Sequence, residues 1–116
     1  MAFSEFEKKR YSQIVEQYVV GRRPPPHIRP KLDLGFRLTG QSVEIFEIRP
    51  VWRGAPGEKI ELAMVKATYV KAYGAWKIYW QRADLKWHLY EPGELVETLE
   101  QVLAVVQQDE YGCFYG

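Results

Sequence analysis

The stretch Ala75–Tyr90, AWKIYWQRADLKWHLY, decides how the chain is read. Apolar and polar residues alternate through it with the two-residue period of a half-buried strand. Trp76, Ile78 and Trp80 fall on one side; Lys77, Tyr79 and Gln81 fall on the other. Two strands joined by a two-residue turn at Ala83-Asp84 account for the pattern. That turn sets Trp80 against Trp87, Ile78 against Leu89, Tyr79 against His88, Lys77 against Tyr90 and Gln81 against Lys86. One face is then indole and aliphatic and needs a core. The other mixes cations with amphipathic rings.

Outward from this hairpin, Lys66–Ala72 reads as a strand, with Tyr73-Gly74 as the turn between them. Val65, Ala67 and Tyr69 join the tryptophan face, and Lys66, Thr68 and Val70 the opposite one. Lys59–Val65 fits either an edge strand or an irregular approach, after a turn-rich loop at Arg53–Glu58. Leu32–Thr39 and Ser42–Trp52 form a hairpin around Gly40-Gln41. Leu32, Leu34, Phe36 and Leu38 alternate cleanly, but the second strand changes phase between Ile45 and Phe46. A bulge near Phe46-Glu47 would restore register, setting Leu34 against Ile48 and Asp33 against Arg49. Gly35 would leave room for the Phe46 ring. Pro92-Gly93 ends the sheet.

Ser4 to Val20 reads as a helix with an S-x-x-E capping box at Ser4 and Glu7 and a stop at Gly21. Its apolar stripe is Phe6, Tyr11, Ile14, Val15, Tyr18 and Val19. Arg22–Lys31, RRPPPHIRPK, is expected to be an extended polyproline-II arm. Glu94–Gln108 is a second helix with Leu95, Leu99, Val102, Leu103 and Val106 on one side and Glu94 and Glu97 in its first turn. The tail Asp109–Gly116, DEYGCFYG, is aromatic enough to dock through Phe114 and one of Tyr111 or Tyr115.

The expected fold is α+β: one domain over 1–116 with a twisted antiparallel sheet of about five strands, in the order α-β-β-β-β-β-α. The helices, 4–20 and 94–108, pack on the tryptophan face; the connector is 22–31, the sheet 32–91 and the tail 109–116. At 116 residues the chain is long enough for one core. Its 15% aromatic content suits a sheet core. Cys113 stands alone, so no internal disulfide forms, and no Cys/His spacing suggests zinc. The opening MAFSEFEKKR is charged and is expected to be neither a signal peptide nor a membrane span. A reducing, cytosolic setting fits.

The net charge of +1 conceals an asymmetry. All sixteen Lys and Arg lie between Lys8 and Lys86, and six of the fifteen acids lie beyond Tyr90. Residues 1–90 thus carry sixteen bases against nine acids, or +7. A basic body points to an anionic partner, or simply to solubility with the acidic end neutralising the body.

The blocks RRPPPHIRPKLDLGFRLTGQSVEIFEIRPVW, KATYVKAYGAWKIYWQRADLKWHLYEP and DEYGCFYG resemble a bacterial family of small domains of unknown function. EIRPxW and WKIYWxRADLKWH are the most specific parts. The resemblance implies a bacterial, cytosolic, stand-alone domain and transfers no catalytic or binding residue.

Three functions are open. The first is nucleic-acid binding by the second sheet face, where Lys66, Lys77, Tyr79, Lys86, His88 and Tyr90 set cations around flat rings. Bases stack on such rings at about 1–3 kcal/mol each, and Lys or Arg neutralises phosphate. Arg22, Arg23, Arg29 and Arg53 would extend the basic track if they share that side. A solvated face rich in Lys, Thr and Tyr for strand propensity is the plainer account. The second is a metal-dependent nuclease. Glu47-Ile48-Arg49 is similar to the acid-x-Lys element of such enzymes, with Asp33 as second acid. Against it, Arg replaces Lys, and Asp33–Arg49 and Arg37–Glu44 make sensible cross-strand ion pairs. The third is a protein-interaction module, through a protein partner or a homodimer joined at the Lys59–Val65 edge. The expectation is a non-enzymatic binding domain with nucleic acid as first ligand, no cofactor, no metal and no membrane contact.

Overall fold

Seven elements follow in order: α1 (Glu5–Arg22), β1 (Asp33–Thr39), β2 (Ser42–Pro50), β3 (Lys59–Val70), β4 (Ala75–Gln81), β5 (Trp87–Leu89) and α2 (Leu99–Gln108). The computed structural model describes residues 2–51, 54, 57–82, 84–90 and 95–109. The strands lie side by side in chain order, each antiparallel to the next. Both helices pack on the face carrying Trp76 and Ile78, giving the expected α+β architecture.

Ser4 caps α1. Its hydroxyl accepts the Glu7 N–H at 3.2 Å, and the Glu7 carboxylate accepts the Ser4 N–H at 2.9 Å. Two end donors are thereby satisfied. Val15 and Val19 are buried, with Tyr11, Ile14 and Tyr18 packed beside them. Phe6, expected on this stripe, is 76% exposed. Phe3 takes the core position from the extended segment before the cap, where its N–H donates to the Gly40 carbonyl at 3.0 Å. Its ring meets Tyr11 edge-on, Tyr11 meets Trp76, and Trp76 meets Tyr69, at 5.0, 5.1 and 5.3 Å. Such edge-to-face pairs add about 0.5–1.5 kcal/mol each beyond area burial.

Gly21 does not stop α1, which continues to Arg22. The stop is Arg23, extended at φ −61°, ψ 140°, because steric contact with Pro24 disfavours the helical region there. The connector is not a continuous polyproline-II arm either. The Pro25 carbonyl accepts the Ile28 N–H at 2.8 Å, and the Ile28 carbonyl accepts the Lys31 N–H at 2.8 Å. The first of these turns has Pro26 at its second position, where its fixed φ fits.

The β1–β2 ladder runs in step from Thr39↔Ser42 to Asp33↔Ile48, so the bulge expected near Phe46-Glu47 is absent and Leu34 faces Glu47. The irregularity lies on the other side of β2. There Ile45 pairs with Val65 while Phe46 pairs with Ala63, which leaves Met64 of β3 as the extra residue. Met64 and Val65 are both buried in the same core, as a bulge permits and a regular pleat does not. Beyond the bulge, Glu61 and Ala63 join Phe46 and Ile48 on the helix-free face. The phase change in β2 therefore marks a switch of buried side: Val43 and Ile45 face the helices, Phe46 the other way. Gly35 does make room for Phe46, since a Cβ there would sit 2.8 Å from the ring.

Lys59–Val65 is the first part of a 12-residue strand paired along β2; β4 joins its other edge only from Val65. Gly74, at φ +59°, closes the β3–β4 turn, and Val65, Ala67 and Tyr69 lie opposite Trp80, Ile78 and Trp76 as expected.

The β4–β5 hairpin departs by one residue from the expected register. Trp80 pairs with His88, Tyr79 with Leu89 and Gln81 with Trp87. The connection is Arg82–Lys86, closed by the Arg82 N–H to the Lys86 carbonyl at 3.3 Å, with Leu85 at φ +62°. Asp84 supports it by accepting the Lys86 N–H at 2.9 Å. A one-residue slip turns every β5 side chain over. Trp87 and Leu89 reach the helix-free face, whereas His88 and Tyr90 turn toward the helices.

α2 starts at Leu99 rather than Glu94. Thr98 caps it with Gln101 in a second reciprocal box. Val96 is held strand-like against Trp76 by N–H···O bonds of 2.6 and 2.9 Å, which keeps its segment out of the helix. Leu95 is exposed, and the first-turn acid is Glu100. Leu99, Val102, Leu103 and Val106 fill the core. Pro92-Gly93, Arg53 and the tail from Glu110, with Cys113, lie outside the described residues. No described helix is long and apolar enough to cross a membrane.

Candidate nucleic-acid interface

Among the described residues neither helix covers the second face of the sheet. Strand alternation and the β3 bulge bring to it Arg37, Glu44, Phe46, Glu61, Lys66, Lys77, Tyr79, Gln81 and Trp87. The Lys66 ammonium stands over two rings, 5.3 Å from the Tyr79 centroid and 5.1 Å from that of Trp87. Lys77 flanks Tyr79 on the same face of β4. On the β1–β3 side Arg37 lies over Phe46 at 4.4 Å, reaches Glu44 at 3.8 Å and is bonded to Glu61. Between the two groups is a cleft of about 230 Å³ lined by Arg37, Glu44, Phe46, Glu61, Ala63, Gln81 and Trp87.

This differs from the grid read in the sequence. Lys66, Lys77 and Tyr79 are on the face as expected. His88 is not: its Nε2 contacts Asp84 Oδ2 at 2.9 Å, and its ring neighbours Trp80 at 6.4 Å. The Lys86 N–H, and next His88, hold the Asp84 carboxyl below its ordinary value. Tyr90 is buried in the core. Lys86 is exposed in the β4–β5 loop. Trp87, assigned to the core by sequence, is the ring that completes the face. The signal for it was Asp84, whose side chain turns back on its own loop and lengthens the turn.

Of the expected arginine track, Arg53 lies outside the described residues, and Arg22, Arg23 and Arg29 are engaged around the α1–β1 connection. Arg23 binds Asp33 in a two-pronged pair, Nε to Oδ1 and Nη2 to Oδ2, both at 2.7 Å. Arg29 Nε donates to the Pro24 carbonyl at 3.0 Å, and Arg22 ends α1. Arg22 lines a groove with Pro24, Leu32, Leu34, Glu47 and Arg49 on the helix side.

The nuclease constellation is also dispersed. Asp33 is opposite Ile48, and its neighbour Leu34 is opposite Glu47, so strand alternation sends the two acids to opposite faces. Asp33 pairs with Arg23 instead of Arg49, and that guanidinium holds its carboxyl below the usual range. Arg49 turns to Glu47 at 2.6–2.8 Å. The expected Arg37–Glu44 pair is present, shared with Glu61. Among the described residues no His, Cys, Asp and Glu set converges to hold a metal.

Over residues 3–116 the chain matches the family model described as Domain of unknown function (DUF3024), and it belongs to that family. No curated protein and no solved structure matches it.

Proposed function

We propose that this member of the DUF3024 family is a non-enzymatic, cytosolic binding domain whose helix-free sheet face takes single-stranded nucleic acid. The supporting observation is the placement of Trp87 and Tyr79 on one face with Lys66 between them and Lys77 beside them. A base stacked on an aromatic ring contributes about 1–3 kcal/mol. An exposed cation over such a ring contributes about 0.5–1 kcal/mol. Bases therefore displace the Lys66 ammonium from its rings, and the freed ammonium moves to a phosphate. A duplex hides its base faces and gains only the phosphate contacts, so single strands are preferred. The separation of Asp33 from Glu47 supports binding without cleavage.

Fluorescence anisotropy of a labelled single-stranded oligonucleotide tests this. With Lys66 and Lys77 each meeting one phosphate, affinity falls about sevenfold between about 50 and 200 mM salt. Lys66→Ala with Lys77→Ala flattens that dependence. Equal affinity for duplex and single strand, or no binding at low salt, contradicts the proposal. A protein partner or second copy at the outer edge of β3 is the second reading; Ile60 and Leu62, 46% and 41% exposed beside that edge, favour it.

A further inference from the structure

We infer that the cleft on the helix-free face reads guanine; the inference rests on the nucleic-acid reading and names the base. At about 230 Å³ the cleft has room for one base. The Phe46 and Trp87 rings supply apolar walls. Its charged groups are one cation, Arg37, and two carboxylates, Glu44 and Glu61, a net negative set that repels phosphate and draws N–H donors. Guanine presents two neighbouring donors, N1–H and N2–H, that one carboxylate accepts side by side. It also presents the O6 and N7 acceptors that an arginine fork matches. Adenine and cytosine set an acceptor beside their single amino group, and that acceptor faces a carboxylate oxygen. Thymine and uracil offer one N–H between two carbonyls. Glu61 and Arg37, bonded to each other, place both complementary groups on one wall. The Met64 bulge is what turns Glu61 to this face.

The test uses the full chain and oligothymidylates that carry one central guanine, inosine or adenine, with anisotropy as readout. The guanine strand is expected to bind about tenfold tighter than the adenine strand. Inosine, lacking the N2 amino group, should lose most of that preference. Glu61→Gln should bring the guanine strand down to the inosine level. Equal affinity for all three strands overturns the inference while the face remains a single-strand platform. Absence of binding to every strand overturns both. The base comparison needs only the unaltered protein, so a poorly folded Glu61 variant does not rescue the inference.

Discussion

Replacing Gly35 by alanine tests how the helix-free face is packed. The new Cβ would lie 2.8 Å from Phe46 Cε2, 3.0 Å from Cζ and 3.4 Å from Ile48 Cδ1. Ordinary contact requires the ring to retreat by roughly half an ångström. Phe46 is only 8% exposed and has the Arg37 guanidinium 4.4 Å from its centroid, so its freedom to retreat is small. Overpacking of this kind costs about 1–3 kcal/mol. Removing a glycine from the unfolded chain offsets about 0.4–1 kcal/mol of that. The net is a destabilisation of about 0.5–2 kcal/mol, and each kcal/mol lowers Tm by about 4 °C in a domain of this size. Thermal and urea unfolding of Gly35→Ala, Phe46→Leu and the double variant form a cycle. Trimming the ring makes room, so the double variant should be more stable than the sum of the single changes allows, by about 1 kcal/mol. A Gly35→Ala protein as stable as the parent, or strictly additive variants, would refute this packing.

Ile78, fully buried opposite Ala67, should cost about 2–5 kcal/mol as Ile78→Ala and about 0.5–1.5 kcal/mol as Ile78→Val in urea unfolding. Asp33 is depressed by Arg23, so its stabilisation is present above the unfolded value of about 3.9 and is lost as pH falls through the lower folded value. Asp33→Asn should therefore lower Tm by a few degrees at neutral pH, and the difference from the parent should vanish at strongly acidic pH. Leu85 sits at φ +62° with its side chain in solvent, a conformation that costs a non-glycine residue about 1–2 kcal/mol. Leu85→Gly should leave Tm unchanged or raise it; a clear fall would speak against the five-residue connection.

What the sequence made legible is the part governed by short-range rules. Ser4 and Glu7 announce the start of α1, and the alternation of Trp76, Ile78 and Trp80 announces β4 and its buried side. The smallness of Gly35 announces the Phe46 ring. The failures share a cause: each turns on a residue whose alternatives differ by little locally and are settled by tertiary contact. Leu85 in the left-handed region is disfavoured on its own, so a two-residue turn was the natural choice until Asp84 and Gln81, whose amide donates to the Leu85 carbonyl at 3.0 Å, are seen to hold the longer loop. Met64 and Val65 are equally apolar, and nothing in their order shows that both are buried on one side. Val96 is as compatible with helix as Leu99 until Trp76 offers it a backbone partner. The candidate site suffered most from this, because a single-residue slip in β5 exchanges His88 for Trp87 on the helix-free face.

The platform on the helix-free face is tested most directly by following backbone and indole N–H resonances while a short single-stranded oligonucleotide is added. The account predicts shifts at the Trp87 indole and at Lys66, Lys77 and Tyr79, with α1 and α2 unmoved. Shifts confined to the helices, or a Trp87 indole that never responds while other residues do, would contradict it.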